Sequence, residues 1–248
     1  MSDLATLSIE GRIATLTLNR PDKRNALSLD LLASLHEKVD QLASNAGVSV
    51  CVVTGAGATF CAGMDLKAVL KEPGAPLRLL SSIAELTIKI RRLPQVTIAR
   101  VNGAAIGGGC GLVCVCDIAV THADAKLGFP EVDLGVCPAV VAPWLVLAIG
   151  AGRARRVLLE GGTMSGHRAA ELGMVEEAVE PERLDGAVRE RAERLAKAGP
   201  NALRATKRLL HDLESERLEA AVRRGAEVSA EVIGGAEAQA MLGKVYGG

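Results

Sequence analysis

Three consecutive glycines, Gly107-Gly108-Gly109, join an apolar β-branched run, Val96-Thr97-Ile98-Ala99, to a helix-compatible run, Leu112-Val113-Cys114-Val115. Glycines at such a turn let the backbone bend sharply and let a ligand reach the main chain without meeting a Cβ. At a helix start the N–H groups lack intrahelical acceptors, and the helix dipole adds partial positive charge. A strand, a glycine turn and a helix therefore form a ready holder for an anion or a developing oxyanion. The spacing does not fit the dinucleotide fingerprint, and no Lys-Ser/Thr follows as a phosphate loop requires. A second turn into a helix, Phe60-Cys61-Ala62-Gly63-Met64-Asp65-Leu66, offers further free N–H groups near Met64. A third stretch, Phe129-Pro130-Glu131-Val132-Asp133-Leu134-Gly135, carries a carboxylate among mostly apolar neighbours.

These stretches must be held by a fold, and composition bounds it. The chain has 248 residues, 49% of them hydrophobic, enough to bury a sizeable core. A net charge of +0 and 2% aromatic residues speak against a nucleic-acid partner. No cationic-then-apolar segment precedes Leu4, and no apolar run approaches membrane length. The expectation is a soluble, cytoplasmic protein with no membrane partner. Six cysteines without a signal segment do not imply disulfides. Their spacing and the scarcity of nearby histidines do not suggest a metal site.

Leu4 to Glu10 and Arg12 to Asn19 alternate apolar and polar residues about Glu10-Gly11, which predicts a β-hairpin. Ser28 can cap a helix whose Leu31, Leu32, Leu35, Val39 and Leu42 recur at helical spacing. Val48 to Thr54 reads as a strand covered on both faces. Asp65 to Leu70 could open a short helix, and Lys71 to Pro76 reads as a surface loop. Leu77 to Leu93 is an amphipathic helix closed by Pro94. Asp117 to Thr121 and Leu127 to Phe129 are extended, Pro130 suits the first turn of a helix holding Glu131, and Pro138 and Pro143 break the next apolar run. Strands and helices alternate to about Pro181, and three helical patterns follow, which favours an α/β core with a helical tail.

Read in order, the three motifs resemble the crotonase, or enoyl-CoA hydratase/isomerase, superfamily. The resemblance also takes in Asn19-Arg20-Pro21 through Asn25-Ala26-Leu27, Cys116-Asp117-Ile118-Ala119, and Gly166 to Gly173 with Met174-Val175, and it covers residues 4 to 240. It implies a spiral of ββα units over residues 1–190 with an acyl-CoA site. Residues 191–248 would be a helical region for packing or oligomerisation, in a homotrimer or a dimer of trimers. Family members bind acyl-CoA thioesters, hold the thioester oxygen with two backbone N–H groups, and need no tightly bound cofactor beyond the CoA of the substrate. Carried over by position, the two donors are the amides of Met64 and Gly108, and Glu131 is the acid/base carboxylate. CoA would lie along Arg24, Ala26 and the turn Ala62, Met64, Asp65, Leu66 and Lys67. The acyl walls would come from residues about 70 to 90 and 137 to 145.

One position departs from the pattern. Hydratases of the family usually carry a second glutamate three residues after the second oxyanion donor, where this chain has Gly111. Two carboxylates can hold a water between them, whereas one can still move a proton from one carbon to another. Asp133 is expected to point away from Glu131, Asp117 to be a structural hydrogen-bonder, and Glu85 to be a weak substitute for the second acid. The run Gly-Gly-Gly-Cys-Gly-Leu and the segment Pro138 to Pro143 look like a bacterial branch assigned to branched-chain or 3-methylglutaconyl-CoA hydration. Three readings follow: hydration of a 2-enoyl-CoA, isomerisation of a 3-enoyl-CoA to a 2-enoyl-CoA by Glu131 alone, or acyl-CoA binding without catalysis.

Overall fold

A computed structural model of the protein describes residues 3–66, 74–214 and 216–246. The N-terminal hairpin forms as the alternation predicts, with β1 (Ala5–Glu10) antiparallel to β2 (Ile13–Leu18) in the register Ala5↔Leu18 to Glu10↔Ile13. Helix α1 (Leu29–Ala43) starts at Ser28, whose Oγ accepts from the Leu31 amide at 3.3 Å. Its Leu31, Leu32, Leu35, Val39 and Leu42 are the buried stripe.

From there the chain winds as a spiral. β3 (Val50–Gly55) enters a large sheet and β4 (Thr59–Cys61) a small one, and α2 (Ala75–Arg92) follows. The next turn repeats the pattern with β5 (Val96–Val101), β6 (Ala104–Ile106) and α3 (Gly108–Val115). The third uses β7 (Ile118–His122), β8 (Lys126–Gly128), a 3₁₀ turn over Val132–Leu134, and α4 (Ala142–Ile149). After α5 (Ala151–Glu160), β9 (Thr163–Ser165) joins the small sheet. Beyond α6 (Gly166–Leu172), β10 (Glu177–Val179) closes the large one. The orders are β1-β2-β3-β5-β7-β10 and β4-β6-β8-β9. This is the expected spiral of ββα units.

Several local expectations need correction. Glu131 precedes a single 3₁₀ turn rather than lying in a helix, because Gly135 in the left-handed region ends it at once. Pro143 starts α4 instead of breaking it, since a first-turn proline sacrifices no helical hydrogen bond. Pro76 likewise lies in the first turn of α2, so that helix starts two residues before Leu77. The short strands β4, β6, β9 and β10 each span three residues, too few for a period to show. The expected helix from Asp65 and loop from Lys71 fall largely on residues 67–73, outside the described residues.

The helical tail comprises α7 (Leu184–Lys197), α8 (Pro200–Leu213), α9 (Glu216–Gly234) and α10 (Ala236–Tyr246). α7 covers one face of the large sheet, packing Leu184, Val188 and Ala192 on Val50, Val52, Ile98 and Val120. α9 and α10 turn back onto the main core, to which Val222, Ala226, Ile233 and Leu242 belong.

α8 is tied down electrostatically. Lys207, 9% exposed, donates to Asp117 Oδ2 at 2.6 Å and to the Gln95 carbonyl at 2.8 Å. The same Oδ2 accepts from the Thr97 amide at 2.7 Å and its hydroxyl at 2.9 Å, so Asp117 is a structural hydrogen-bonder as expected. Removing Asp117 leaves the buried Lys207 ammonium without its counter-charge, and because the Asp117 side chain is itself partly exposed the cost is about 1–3 kcal/mol. Asp117→Ala is expected to lower the melting temperature by roughly 2–12 °C in calorimetry. Arg168→Ala, which breaks an Arg168–Glu171 pair about half-exposed on both sides, should change it little.

Candidate active site

The register of the small sheet brings the three chemical stretches together. Cys61 on β4 pairs with Ala105 on β6, and Ala105 with Leu127 on β8, all parallel. Met64 and Gly108 each lie three residues beyond their paired positions, and Glu131 lies three beyond Gly128. Three parallel neighbours thus deliver all three from the same edge.

Glycines let the exits close up. A Cβ on Gly63 would sit 2.7 Å from the Ile106 carbonyl oxygen and 3.8 Å from the Gly108 nitrogen. One on Gly109 would sit 2.3 Å from the Cys61 carbonyl oxygen. Gly63 also has φ +86, which side chains rarely adopt.

Met64 is bridged in parallel to Leu27, whose amide donates to Gly63 O at 2.8 Å and whose carbonyl accepts from the Asp65 amide at 3.0 Å. Because Leu27 bonds the residues on either side of Met64, the Met64 N–H is turned away from it. Gly108 opens α3, so its N–H has no intrahelical acceptor. Neither amide donates to any group among the described residues.

The predicted CoA positions form one ridge beside these amides. The Arg24 carbonyl accepts from the Ala62 amide at 3.0 Å. Arg20 Nη1 donates to the Ala26 carbonyl at 3.1 Å and to Asp65 Oδ2 at 2.8 Å, so Asp65 is held as part of the scaffold. Arg24 is exposed, Ala26, Ala62, Asp65 and Leu66 are half-buried, and Lys67 lies outside the described residues. Asn25, fully buried and left-handed, donates to the Ala56 and Thr59 carbonyls and accepts from the Arg20 amide, pinning the ridge.

Glu131 faces the same space. Its Oε1 lies 2.6 Å from where a Gly107 Cβ would be, so the carboxylate rests against the residue before the Gly108 amide. Its Oε2 is buried and finds no hydrogen-bond partner among the described residues. Desolvation pushes its pKa up from 4.5 to about 7, a backbone hydrogen bond opposing the shift.

A cavity of about 150 Å³ opens between these groups. Its walls include Leu80 and Ile83 of α2 and Cys137, Pro138, Val140 and Val141, as expected, and also Ser229 and Tyr246. Those last two come from the tail, and nothing in local sequence pointed to them. Glu131 is the sole carboxylate among the described lining residues. Glu85, the weak substitute, is paired outward with Arg223 at 2.7 Å, and Asp133 Oδ2 accepts from the Gly162 amide at 2.8 Å. Beside Gly111 the space is filled, because a Cβ there would sit 2.5 Å from Val141 Cγ1. No cluster of three His, Cys, Asp or Glu residues suited to a metal occurs among the described residues, and no helix among them is long and apolar enough to cross a membrane.

A family model described as enoyl-CoA hydratase/isomerase matches residues 8–242. The chain belongs to the enoyl-CoA hydratase/isomerase family. Among its relatives is the 2,3-dehydroadipyl-CoA hydratase of Escherichia coli, 32% identical over 221 residues, which cover 89% of this chain and 86% of that protein. The crystal structure of an enoyl-CoA hydratase from Mycobacterium avium superposes with TM-score 0.87 at 32% identity, covering 99% of this chain and 97% of that one. An enoyl-CoA hydratase from Bacillus anthracis does so with TM-score 0.81 at 31% identity, covering 90% of each. The protein is thus an enzyme of the enoyl-CoA hydratase/isomerase family with the crotonase fold.

The raised pKa of Glu131 has a consequence for stability. The folded protein keeps a proton that the unfolded chain has released between about pH 4.5 and 7. Stability therefore falls as pH rises through that window, and above it the ionised group costs about 3 kcal/mol. Glu131→Gln is expected to be more stable than the parent by that order at pH 8. The two should be nearly equal at pH 4, as read from denaturant midpoints.

Proposed function

We propose that this enzyme adds water to a 2-enoyl-CoA, with Glu131 as its only proton carrier. The observation that carries the reading is the Glu131 carboxylate set against Gly107, its Oε2 buried and without a hydrogen-bond partner among the described residues, next to the free amide of Gly108. The thioester oxygen sits between the amides of Met64 and Gly108, which bind it more tightly as it becomes an enolate oxygen. Each such donor is worth about 3 kcal/mol in the transition state. Protonated Glu131 gives its proton to Cα while water bonds to Cβ. The other carboxylate oxygen takes a proton from that water, so the product gains H at Cα and OH at Cβ and Glu131 ends protonated. The pKa of about 7 supports this, since a carboxyl near half-protonation can both give and take a proton at neutral pH.

Isomerisation of a 3-enoyl-CoA is the second reading, and the Val141 methyl beside Gly111 favours it. An aliphatic group there offers water no second anchor, whereas moving a proton from C2 to C4 needs only one carboxylate. In either case CoA follows the ridge of Arg24, Ala26 and the Ala62–Leu66 turn, and the chemistry asks for no further cofactor. We also place the enzyme in the cytoplasm, as a homotrimer or dimer of trimers. Leu209, Leu210 and Leu213 of α8, each more than half-exposed, support self-association.

The reactions separate on two measurements. Hydration of crotonyl-CoA or 3-methylglutaconyl-CoA removes the enoyl absorbance, while isomerisation of a 3-enoyl-CoA creates it. Hydration begins from protonated Glu131, so its kcat/KM should fall as pH rises past about 7. Isomerisation begins from the carboxylate and should rise over the same range. Glu131→Gln is expected to lose about 10²–10⁴ of either activity. Turnover that survives this change rejects the assignment.

A further inference from the structure

Gly111 lies three residues into α3 from Gly108, about 4.5 Å along the helix axis from the oxyanion amide. In a bound thioester Cβ lies nearer to the carbonyl than this, so the level is the one reached by the acyl chain at and beyond Cγ. Val141, 3% exposed, fills this level, with Cγ1 2.5 Å from where a Gly111 Cβ would stand. No side chain fits at 111 while Val141 holds its place, so the pair forms one wall.

What holds Val141 is a seat on α9. The Ser229 hydroxyl donates to the Cys137 carbonyl at 2.7 Å and accepts from the Ala139 amide at 3.2 Å. One turn earlier, a Cβ on Gly225 would sit 2.2 Å from the Ala139 carbonyl oxygen. Gly225 and Ser229 share a helix face, and together they let the segment 137–140 lie directly on the helix. Ser229 is 1% exposed, and both hydrogen bonds are spent on backbone groups of that one segment.

We infer that Val141 is the residue that limits acyl-chain length in this enzyme, and that Ser229 is the positioning residue that sets how far it reaches into the cavity. The inference rests on the proposed acyl-CoA reading of the site. A chain extending past Cγ meets the Val141 methyls, and the rest of the cavity lets the wall recede only if segment 137–140 leaves its seat. Val141→Ala removes two methyl groups and makes room for about two more chain carbons. One methylene in an apolar pocket changes discrimination by about tenfold or more.

The test is calorimetric binding of butyryl-, hexanoyl- and octanoyl-CoA, which are saturated and bind without turnover. Val141→Ala is expected to raise the octanoyl-to-butyryl affinity ratio about tenfold or more, and Val141→Leu to lower it. Ser229→Ala should shift the ratio in the same direction as Val141→Ala, by less, a change that lost stability alone would not produce. Ratios within twofold of the parent in folded Val141→Ala and Val141→Leu overturn the inference while leaving the acyl-CoA reading standing. If Val141→Ala does not fold, the Val141→Leu ratio decides alone. Failure of the parent to bind even butyryl-CoA overturns both.

Discussion

The structure depends on backbones approaching one another more closely than side chains permit. At the ends of β4, β6 and β8 the exits are separated by little more than a hydrogen atom at Gly63, Gly107 and Gly109. A Cβ at any of the three would meet a carbonyl oxygen or the Glu131 carboxylate inside 3 Å. This crowding aims two main-chain amides into one cavity and presses the carboxylate beside them. The large sheet, the helices on its faces and the Asn25 knot all serve to fix those three exits.

The crowding has an electrostatic counterpart. Glu131 is half-buried at the cavity wall, with Oε2 out of reach of any described partner and only a backbone hydrogen bond opposing the cost of its desolvation. Such an arrangement opposes folding at neutral pH, and the rest of the core tolerates it because so much else is satisfied. Elsewhere among the described residues the buried charges are paired, Lys207 with Asp117 and Glu219 with Arg92. The contrast sets Glu131 apart electrostatically from the rest of the described structure.

Much of this was legible in the residues. The hairpin, α1, β3 and the first three tail helices follow from periodicity, with a cap at Ser28, because each is long enough to show a repeat, whereas α10 was not anticipated. The family motifs then located Met64, Gly108 and Glu131, whose separation in sequence hides their adjacency. What stayed hidden had physical reasons. Of the three-residue strands of the small sheet, β4, β6 and β9 are too short for propensity or alternation to mark them. The prolines at 76 and 143 read as breaks when they are starts. Ser229 and Tyr246 reach the cavity only through tertiary packing, and the filling of the Gly111 space by Val141 is a contact between segments 30 residues apart.

That the last two helices wall the cavity bears on how the enzyme is made. A ribosome releases Met64, Gly108 and Glu131 well before it releases Ser229 and Tyr246. A nascent chain that has already wound its spiral therefore holds the two amides, the carboxylate and most of the apolar wall, Leu80, Ile83, Val140 and Val141 among them, before Ser229 and Tyr246 have emerged. The cavity gains its remaining side only when α9 and α10 settle against that body.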